Sequence, residues 1–288
     1  MERRAQVAAH DQAIIAYEIG LDAYNIALTQ HARSIEEYES LPPTPRGGRE
    51  RPEPRLIFTH GRGSRLDNPT MVAFSEGFAR YDCIMLFEGE EDMTARVCTF
   101  RALMQSFPSA SAVGGRSMGA RCSTRAALYS QVKKLIFMTY PIIRGLEERF
   151  DELVALTADV DVLMIIGDVD ALAPEQQLKA LRSRMRARTW WLKVNKGDHA
   201  LWFDDAAQRY SILNICGQIA ARWSMDEDRD PTLTESFISW NDATNRCEWT
   251  PWTAPAPEPA RGPTRFNIDV SGSHMQSGGG NFTVSLPP

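Results

Sequence analysis

The chain has 288 residues, of which 43% are hydrophobic and 24% are charged, and its formal net charge is −5. This composition excludes a wholly disordered chain, a collagen-like fibre and a disulfide scaffold, and it suits a globular domain with appendages. No run of 18 apolar residues occurs, and the N-terminus lacks the apolar core of a signal peptide. We therefore expect a cytoplasmic or nuclear protein that is not secreted.

The negative charge is concentrated near the C-terminus. Residues 224–288 contain nine acidic residues and four arginines, a balance of −5 that equals the charge of the whole chain. The neutral remainder offers no electrostatic footprint for nucleic acid or for an anionic membrane, and neither is expected as a partner. The five cysteines have no short paired spacing, so we predict no metal site, no disulfide framework and no cofactor.

The first 54 residues are predicted to lie outside the main domain. Residues 11–40 carry apolar side chains at roughly helical spacing, which indicates an amphipathic helix. Residues 41–54 are rich in proline, arginine and glycine, a composition typical of a linker. The helix offers one surface for a protein partner.

Residues 55–223 alternate short apolar runs with helical patterns. This alternation predicts a mainly parallel sheet of about six strands that is covered by helices on both faces. The predicted strands are 55–59, 82–87, 110–114, 134–139, 160–166 and 189–194, and the predicted helices are 70–80, 94–105, 118–131, 147–158, 175–188 and 205–222.

Residues 224–288 are first acidic, then proline-rich and finally rich in glycine and serine. A segment of this composition buries too little apolar surface to offset the entropy of ordering it. We expect a mostly disordered tail, with its acidic part as a second surface for a protein partner.

The strongest chemical motif is Gly115-Arg116-Ser117-Met118-Gly119. A predicted strand leads into it and a predicted helix leads out, which is the strand–turn–helix setting of a nucleophile elbow. The tight turn places the serine in a strained backbone conformation that only small neighbours tolerate. Ser117 is therefore the predicted nucleophile.

A serine hydroxyl needs a base, and the base needs an acid to orient it. His199 follows the last predicted strand of the domain and is the candidate base, whereas His274 lies in the predicted tail. Asp168 and Asp170 both occupy the loop after the preceding strand. Asp170 is favoured because it lies further into the loop, where its carboxylate can turn toward the histidine, and Asp168 is the alternative.

Two backbone N–H groups are candidates for an oxyanion hole. One belongs to Met118, directly after the predicted nucleophile, and the other to Arg62, in the loop after the first strand. His60 in the same loop is expected to be structural. Leu66 occupies the place of the third glycine in a dinucleotide-binding fingerprint, which argues against that class of site.

The sequence near these motifs is locally basic, because Arg62, Arg65, Arg116 and Arg121 lie close to the elbow or the oxyanion loop. One interpretation is that arginines, Arg65 and Arg116 among them, bind the carboxylate or phosphate of an anionic substrate. The favoured interpretation is that Arg116 and Arg121 bind backbone carbonyls or face solvent. Only about one helix fits between residues 140 and 160, so no lid domain is predicted.

Taken together, the motifs resemble a small α/β-hydrolase family that is related to dienelactone hydrolases. The runs that carry the resemblance are Thr59–Gly63, Gly114–Arg121, Thr139–Pro141, Gly167–Asp170 and Gly197–His199. The family includes a testis-expressed protein and a scaffold subunit of the NSL histone-acetyltransferase complex. The resemblance covers about residues 55–222 and implies the α/β-hydrolase fold with a triad of Ser117, Asp170 and His199.

The motifs and the resemblance lead to two hypotheses about function. The first is a serine hydrolase that cleaves an ester or thioester of a small soluble substrate through an acyl-enzyme. The alternative is a non-catalytic scaffold with the same fold that binds protein partners in a chromatin-type complex, since fold alone does not decide function.

Overall fold

The computed structural model describes residues 53–145 and 147–256. The predicted N-terminal helix, most of the linker and the glycine- and serine-rich part of the predicted tail lie outside these residues. The elements in chain order are β1 (Leu56–Thr59), α1 (Pro69–Ala79), β2 (Ile84–Phe87), α2 (Met93–Ser106), β3 (Ala112–Arg116), α3 (Met118–Ala127), β4 (Lys134–Met138), β5 (Ile143–Arg144), β6 (Glu147–Glu148), α4 (Asp151–Val154), β7 (Asp161–Gly167), α5 (Glu175–Arg184), β8 (Arg188–Val194), α6 (Ala206–Met225), β9 (Glu235–Asn241) and β10 (Arg246–Trp249).

Among the described residues, eight strands form one sheet in the order β10-β9-β8-β7-β4-β3-β1-β2. All neighbours are parallel except β9 and β10, which form an antiparallel hairpin at one edge. The carboxyl ends of β3, β7 and β8 therefore meet at the same edge of the sheet. Loops at that edge are where ligands bind in open parallel sheets.

Helices cover both faces of the sheet, as the apolar strands predict. On one face the core contains side chains from α2, α3, α4 and α5, and on the other it contains side chains from α1 and α6. Strand residues alternate between the two: Ile57 packs in the first cluster, and Leu56 and Phe58 pack in the second. Because both faces are buried, the central strands are apolar over most of their length, and their charged residues stand at strand ends.

The six predicted strands are all present, but the sheet has two more, and both lie beyond the predicted domain boundary at residue 223. Helix α6 continues to Met225, and β9 pairs with β8 from Trp191↔Glu235 to Val194↔Ile238. Ile238 is fully buried. The prediction of a mostly disordered tail from residue 224 is thus wrong for residues up to 256.

The burial of a charged residue explains why the composition after residue 223 wrongly predicted disorder. Glu235 is 7% exposed and looks like a tail residue in sequence, but it accepts hydrogen bonds from Arg182 (3.1 Å) and Lys193 (3.1 Å). Both partners are distant in sequence. A paired carboxylate tolerates burial that an isolated one does not.

The predicted helix over residues 147–158 is also wrong for most of its length. A small hairpin of β5 and β6 occupies its start, and only the four residues of α4 are helical. The N–H of Arg149 donates to the carbonyl of Ile142 at 2.8 Å, which holds the chain in the hairpin.

Candidate active site

Ser117 lies at a sharp turn between β3 and α3, with φ 50° and ψ −111°. A Cβ on Gly115 would lie 2.4 Å from the backbone carbon of Gly119, and one on Gly119 would lie 2.6 Å from the carbonyl oxygen of Thr59. Side chains at either position would therefore overlap backbone atoms. The spacing of the motif is a steric requirement of this turn, as the sequence predicts.

Three side chains from separate loops form a hydrogen-bonded relay. The Oγ of Ser117 lies 2.9 Å from Nε2 of His199, and Nδ1 of His199 lies 2.8 Å from Oδ2 of Asp170. The carboxylate is fully shielded from solvent, whereas the imidazole is one-quarter exposed. Sequence reasoning placed these three residues together, and the structure does the same.

Hydrogen bonds join the loop that carries His199 to the loop that carries Asp170, and further hydrogen bonds form within the histidine loop. The N–H of Val169 donates to the carbonyl of Gly197 at 3.0 Å. The Oδ1 of Asp198 accepts the N–H groups of Ala200 and Trp202, both at 2.9 Å. These hydrogen bonds hold the backbone on both sides of His199.

Asp168, the alternative acid, is exposed and does not contact the ring. Its N–H donates to the carbonyl of Val194 at 3.1 Å, which ties the loop to β8. The favoured choice of Asp170 thus agrees with the geometry.

The loop after β1 runs directly beside the elbow. A Cβ on Gly61 would lie 3.2 Å from Cβ of Ser117, so the backbone just before Arg62 runs close to the nucleophile. Met118 is the first residue of α3, and helical geometry leaves its N–H without an acceptor inside the helix. The Met118 N–H follows Ser117 directly in the chain, and the Arg62 N–H stays a predicted second donor from the neighbouring loop.

His60 is buried and structural, as predicted. Its Nε2 accepts the N–H of Gly89 at 3.0 Å, and its Nδ1 lies 2.7 Å from the carbonyl oxygen of Gly61. With Nε2 as an acceptor, the proton resides on Nδ1 and is donated to that carbonyl.

The four arginines near the site have different surroundings. The Arg116 guanidinium donates to the carbonyl of His199 at 3.4 Å. Burial lowers the pKa of this guanidinium below its ordinary value, and the charges of Asp198 and Asp170 offset the shift only in part. Arg121 forms an ion pair with Glu152 at 3.2 Å. Only Arg62 and Arg65 are exposed.

Two residues that shape the site were missed by sequence reasoning. Thr139 follows β4 beside Ser117, is buried, and also has a φ of 50°, which is unusual for a β-branched residue. Arg96, on α2, is fully buried against the oxyanion loop. Thr139 lies in a run that the resemblance already singled out, whereas no local signal marks Arg96.

Within residues 53–145 and 147–256, no helix is long and apolar enough to span a membrane. The same residues contain no group of three or more histidine, cysteine, aspartate or glutamate side chains placed to hold a metal ion.

Solved structures similar to this chain include several hydrolases. One is a putative hydrolase of the α/β superfamily from Xanthomonas campestris pv. campestris (18% identity, TM-score 0.46, 59% of this chain and 95% of that chain). Another is Est1E from Butyrivibrio proteoclasticus with bound ferulic acid (14% identity, TM-score 0.47, 62% and 91%). A third is an α/β serine hydrolase homologue from Coxiella burnetii (14% identity, TM-score 0.47, 59% and 88%).

No curated protein matches the sequence. The narrower resemblance to a family related to dienelactone hydrolases stays a prediction. Residues 89–220 match the family model described as the alpha/beta hydrolase domain. With this match, a mainly parallel eight-stranded sheet and an elbow between β3 and α3, the chain has the α/β-hydrolase fold.

Proposed function

We propose that this protein is a serine hydrolase that cleaves an ester or thioester of a small soluble substrate. The observation that carries the proposal is the relay of 2.9 Å from Ser117 to His199 and 2.8 Å from His199 to Asp170. These distances are in the range at which a base can take the proton of a nucleophile.

The arrangement assigns a role to each side chain of the relay. Asp170 accepts the Nδ1–H of His199, which leaves Nε2 free to take the proton of Ser117 as the oxygen attacks the substrate carbonyl. His199 then returns that proton to the leaving group, and an acyl-enzyme forms on Ser117. A water molecule, deprotonated by the same histidine, releases the acyl group and regenerates the serine.

Charge that develops on the carbonyl oxygen needs donors that are already in place. We assign this purpose to the N–H groups of Met118, the residue after the nucleophile, and of Arg62, which follows Gly61 in the loop beside Ser117. The N-terminal end of α3 adds a favourable dipole at the same point.

An anionic substrate is the second part of the proposal. Arg62 and Arg65 are exposed in the loop after β1 and are the cations that this part of the proposal invokes, although Nε of Arg65 lies 4.0 Å from Oε1 of Glu88. We expect Arg62→Gln and Arg65→Gln to raise KM for esters of dicarboxylic acids more than for neutral esters. Equal effects on both ester classes would remove this part of the proposal.

The decisive experiment is covalent labelling with a fluorophosphonate probe, followed by peptide mapping. Label is expected on Ser117, absent in Ser117→Ala and at least about 10²-fold slower in His199→Ala. Ser106→Ala, which changes an exposed serine on α2, is the matched control and should label normally. Absence of label on folded wild-type protein would refute the hydrolase and favour the non-catalytic scaffold.

A further inference from the structure

Arg96 lies in the first turn of α2, and its side chain is fully buried. Its guanidinium donates three hydrogen bonds to backbone carbonyls: Nε to Glu90 at 2.7 Å, Nη1 to His60 at 2.7 Å and Nη2 to Gly89 at 2.8 Å. One of these carbonyls belongs to the oxyanion loop, and the other two belong to the loop after β2. The guanidinium therefore joins two loops at the carboxyl edge of the sheet.

The surroundings of this side chain are shaped to receive a planar cation. A Cβ on Gly89 would lie only 2.4 Å from Nε of Arg96 and 2.7 Å from Cζ, so the guanidinium lies directly against the backbone of that glycine. Burial lowers the pKa of Arg96, which reflects the cost of removing a cation from water. All three acceptors are neutral carbonyls, and the charges of Glu91, Glu90 and Glu88 offset the effect of burial on the pKa only in part, so the planar fork is held mainly by these directed hydrogen bonds.

The contacts continue from Arg96 to the peptide group that carries the Arg62 N–H. Gly89, whose carbonyl is held by Arg96, donates its own N–H to Nε2 of His60 at 3.0 Å. This bond fixes the proton on Nδ1 of His60, which lies 2.7 Å from the carbonyl oxygen of Gly61. The Gly61–Arg62 peptide is trans, so its N–H points opposite to the carbonyl that His60 holds.

We infer that Arg96 is a positioning residue that fixes the orientation of the Arg62 N–H in the oxyanion hole by holding the backbone of His60 and Gly89. The inference rests on the proposed function, because the N–H matters only if charge develops on an oxygen near Ser117. Arg96 itself does not touch the reacting atoms. It acts by keeping a donor aligned before the reaction begins.

The test uses the full-length protein and three variants of this contact. Arg96→Met removes the donors, Arg96→Lys keeps the charge without the planar fork, and Gly89→Ala displaces the guanidinium without altering it. Arg101→Met, an exposed arginine on the same helix, is the control. The readouts are kcat and KM for p-nitrophenyl acetate, the inhibition constant of a trifluoromethyl ketone, and the thermal midpoint.

A misaligned oxyanion donor has a specific kinetic signature. We expect kcat to fall about 10²-fold in Arg96→Met and Gly89→Ala while KM changes less than about threefold, because the donor stabilises the transition state and not the bound ester. The inhibition constant of the ketone, whose adduct carries an oxyanion, should rise in parallel with the loss of kcat/KM. Arg96→Lys should recover only part of kcat, and Arg101→Met should stay within about twofold of wild type.

The outcomes separate this inference from the proposed function. A wild-type protein that neither hydrolyses the ester nor reacts with the fluorophosphonate would refute the function and the inference with it. An active wild type with unchanged kcat in folded Arg96→Lys and Gly89→Ala would overturn the inference alone. Loss of kcat that only follows a lowered thermal midpoint would also overturn it, since that result indicates a purely structural role. If Arg96→Met fails to fold, the other two variants decide.

Discussion

The two oxygens of the Asp170 carboxylate have different hydrogen-bond partners, His199 and Leu172. Oδ2 lies 2.8 Å from Nδ1 of His199, and Oδ1 accepts the N–H of Leu172 at 2.8 Å. The second bond restricts rotation of the carboxylate and so helps to keep Oδ2 directed at the imidazole. The acid is thus oriented by its own loop, whatever the protonation state of the histidine.

This geometry predicts different effects for the two aspartates of the loop. We expect Asp170→Asn to lower kcat for ester hydrolysis by about 10³- to 10⁴-fold, because an amide can donate to Nδ1 and favour the wrong tautomer of His199. Asp168→Asn is the matched control and should retain kcat within about twofold, since its side chain is exposed. A larger loss in Asp168→Asn than in Asp170→Asn would contradict the relay.

A second prediction concerns the strain at the elbow. The φ of 50° at Ser117 is costly for any residue with a Cβ, by about 1–3 kcal/mol, whereas glycine adopts it freely. Ser117→Gly should therefore have a free energy of unfolding on the order of 1 kcal/mol higher than Ser117→Ala, after the extra entropy of glycine in the unfolded chain is counted. Both variants lack the nucleophile.

Urea denaturation of the two Ser117 variants, followed by tryptophan fluorescence, measures the difference. Equal midpoints would mean that the turn stores no strain at this residue. Arg101→Gly against Arg101→Ala provides the matched pair at an exposed position inside α2, where glycine is expected to be the less stable of the two.

Local sequence carries most of the information on this site because each of its residues follows a strand. The apolar runs predict the strands, and the carboxyl ends of parallel strands must meet, so Ser117, Asp170 and His199 come together without any knowledge of distant contacts. The two glycines around the serine allow the turn to be predicted from the sequence, because larger residues would overlap backbone atoms there.

The parts that sequence did not predict depend on partners far away in the chain. Glu235 is compatible with a buried strand only because Arg182 and Lys193 reach it, and neither is near in sequence. In the sequence Arg96 looks like an ordinary polar residue of a helix, and its burial depends on the carbonyls of His60 and Gly89, which accept its hydrogen bonds. Such contacts exist only once the sheet has assembled.

A third prediction follows from the ion pairs that join α4 to α3. Glu152 is 2.6 Å from Arg125 and 3.2 Å from Arg121. Burial alone would raise the pKa of Glu152, but the hydrogen bond from Arg125 and the charges of both arginines bring it below its ordinary value. The ionised carboxylate therefore stabilises the fold above the pKa of the unfolded chain, and this contribution is lost as the pH falls through the lowered pKa.

We expect Glu152→Gln to lower the free energy of unfolding by about 1–2 kcal/mol at pH 7, since hydrogen bonds to charged groups contribute on this scale. The difference from wild type should be smaller at an acidic pH, once the pH has fallen through the lowered pKa of the wild-type carboxyl. Glu148→Gln, an exposed change on the neighbouring hairpin, should stay within about 0.5 kcal/mol at either pH. A difference for Glu152→Gln that does not vary with pH would contradict an electrostatic origin.

The last prediction tests whether residues after 223 belong to the folded domain. Ile238, on β9, is fully buried, while the adjacent Phe237 points to the opposite side and is 45% exposed. Ile238→Ala should therefore lower the free energy of unfolding by about 2–5 kcal/mol, the usual range for removing a buried isoleucine side chain. Phe237→Ala removes a larger side chain, but nearly half of that side chain is already exposed, so this variant should cost less than Ile238→Ala. Chemical denaturation of both variants provides the comparison. Small and equal effects would show that β9 contributes nothing to the core, whereas a clearly larger effect at Ile238 is expected only if β9 folds with the sheet.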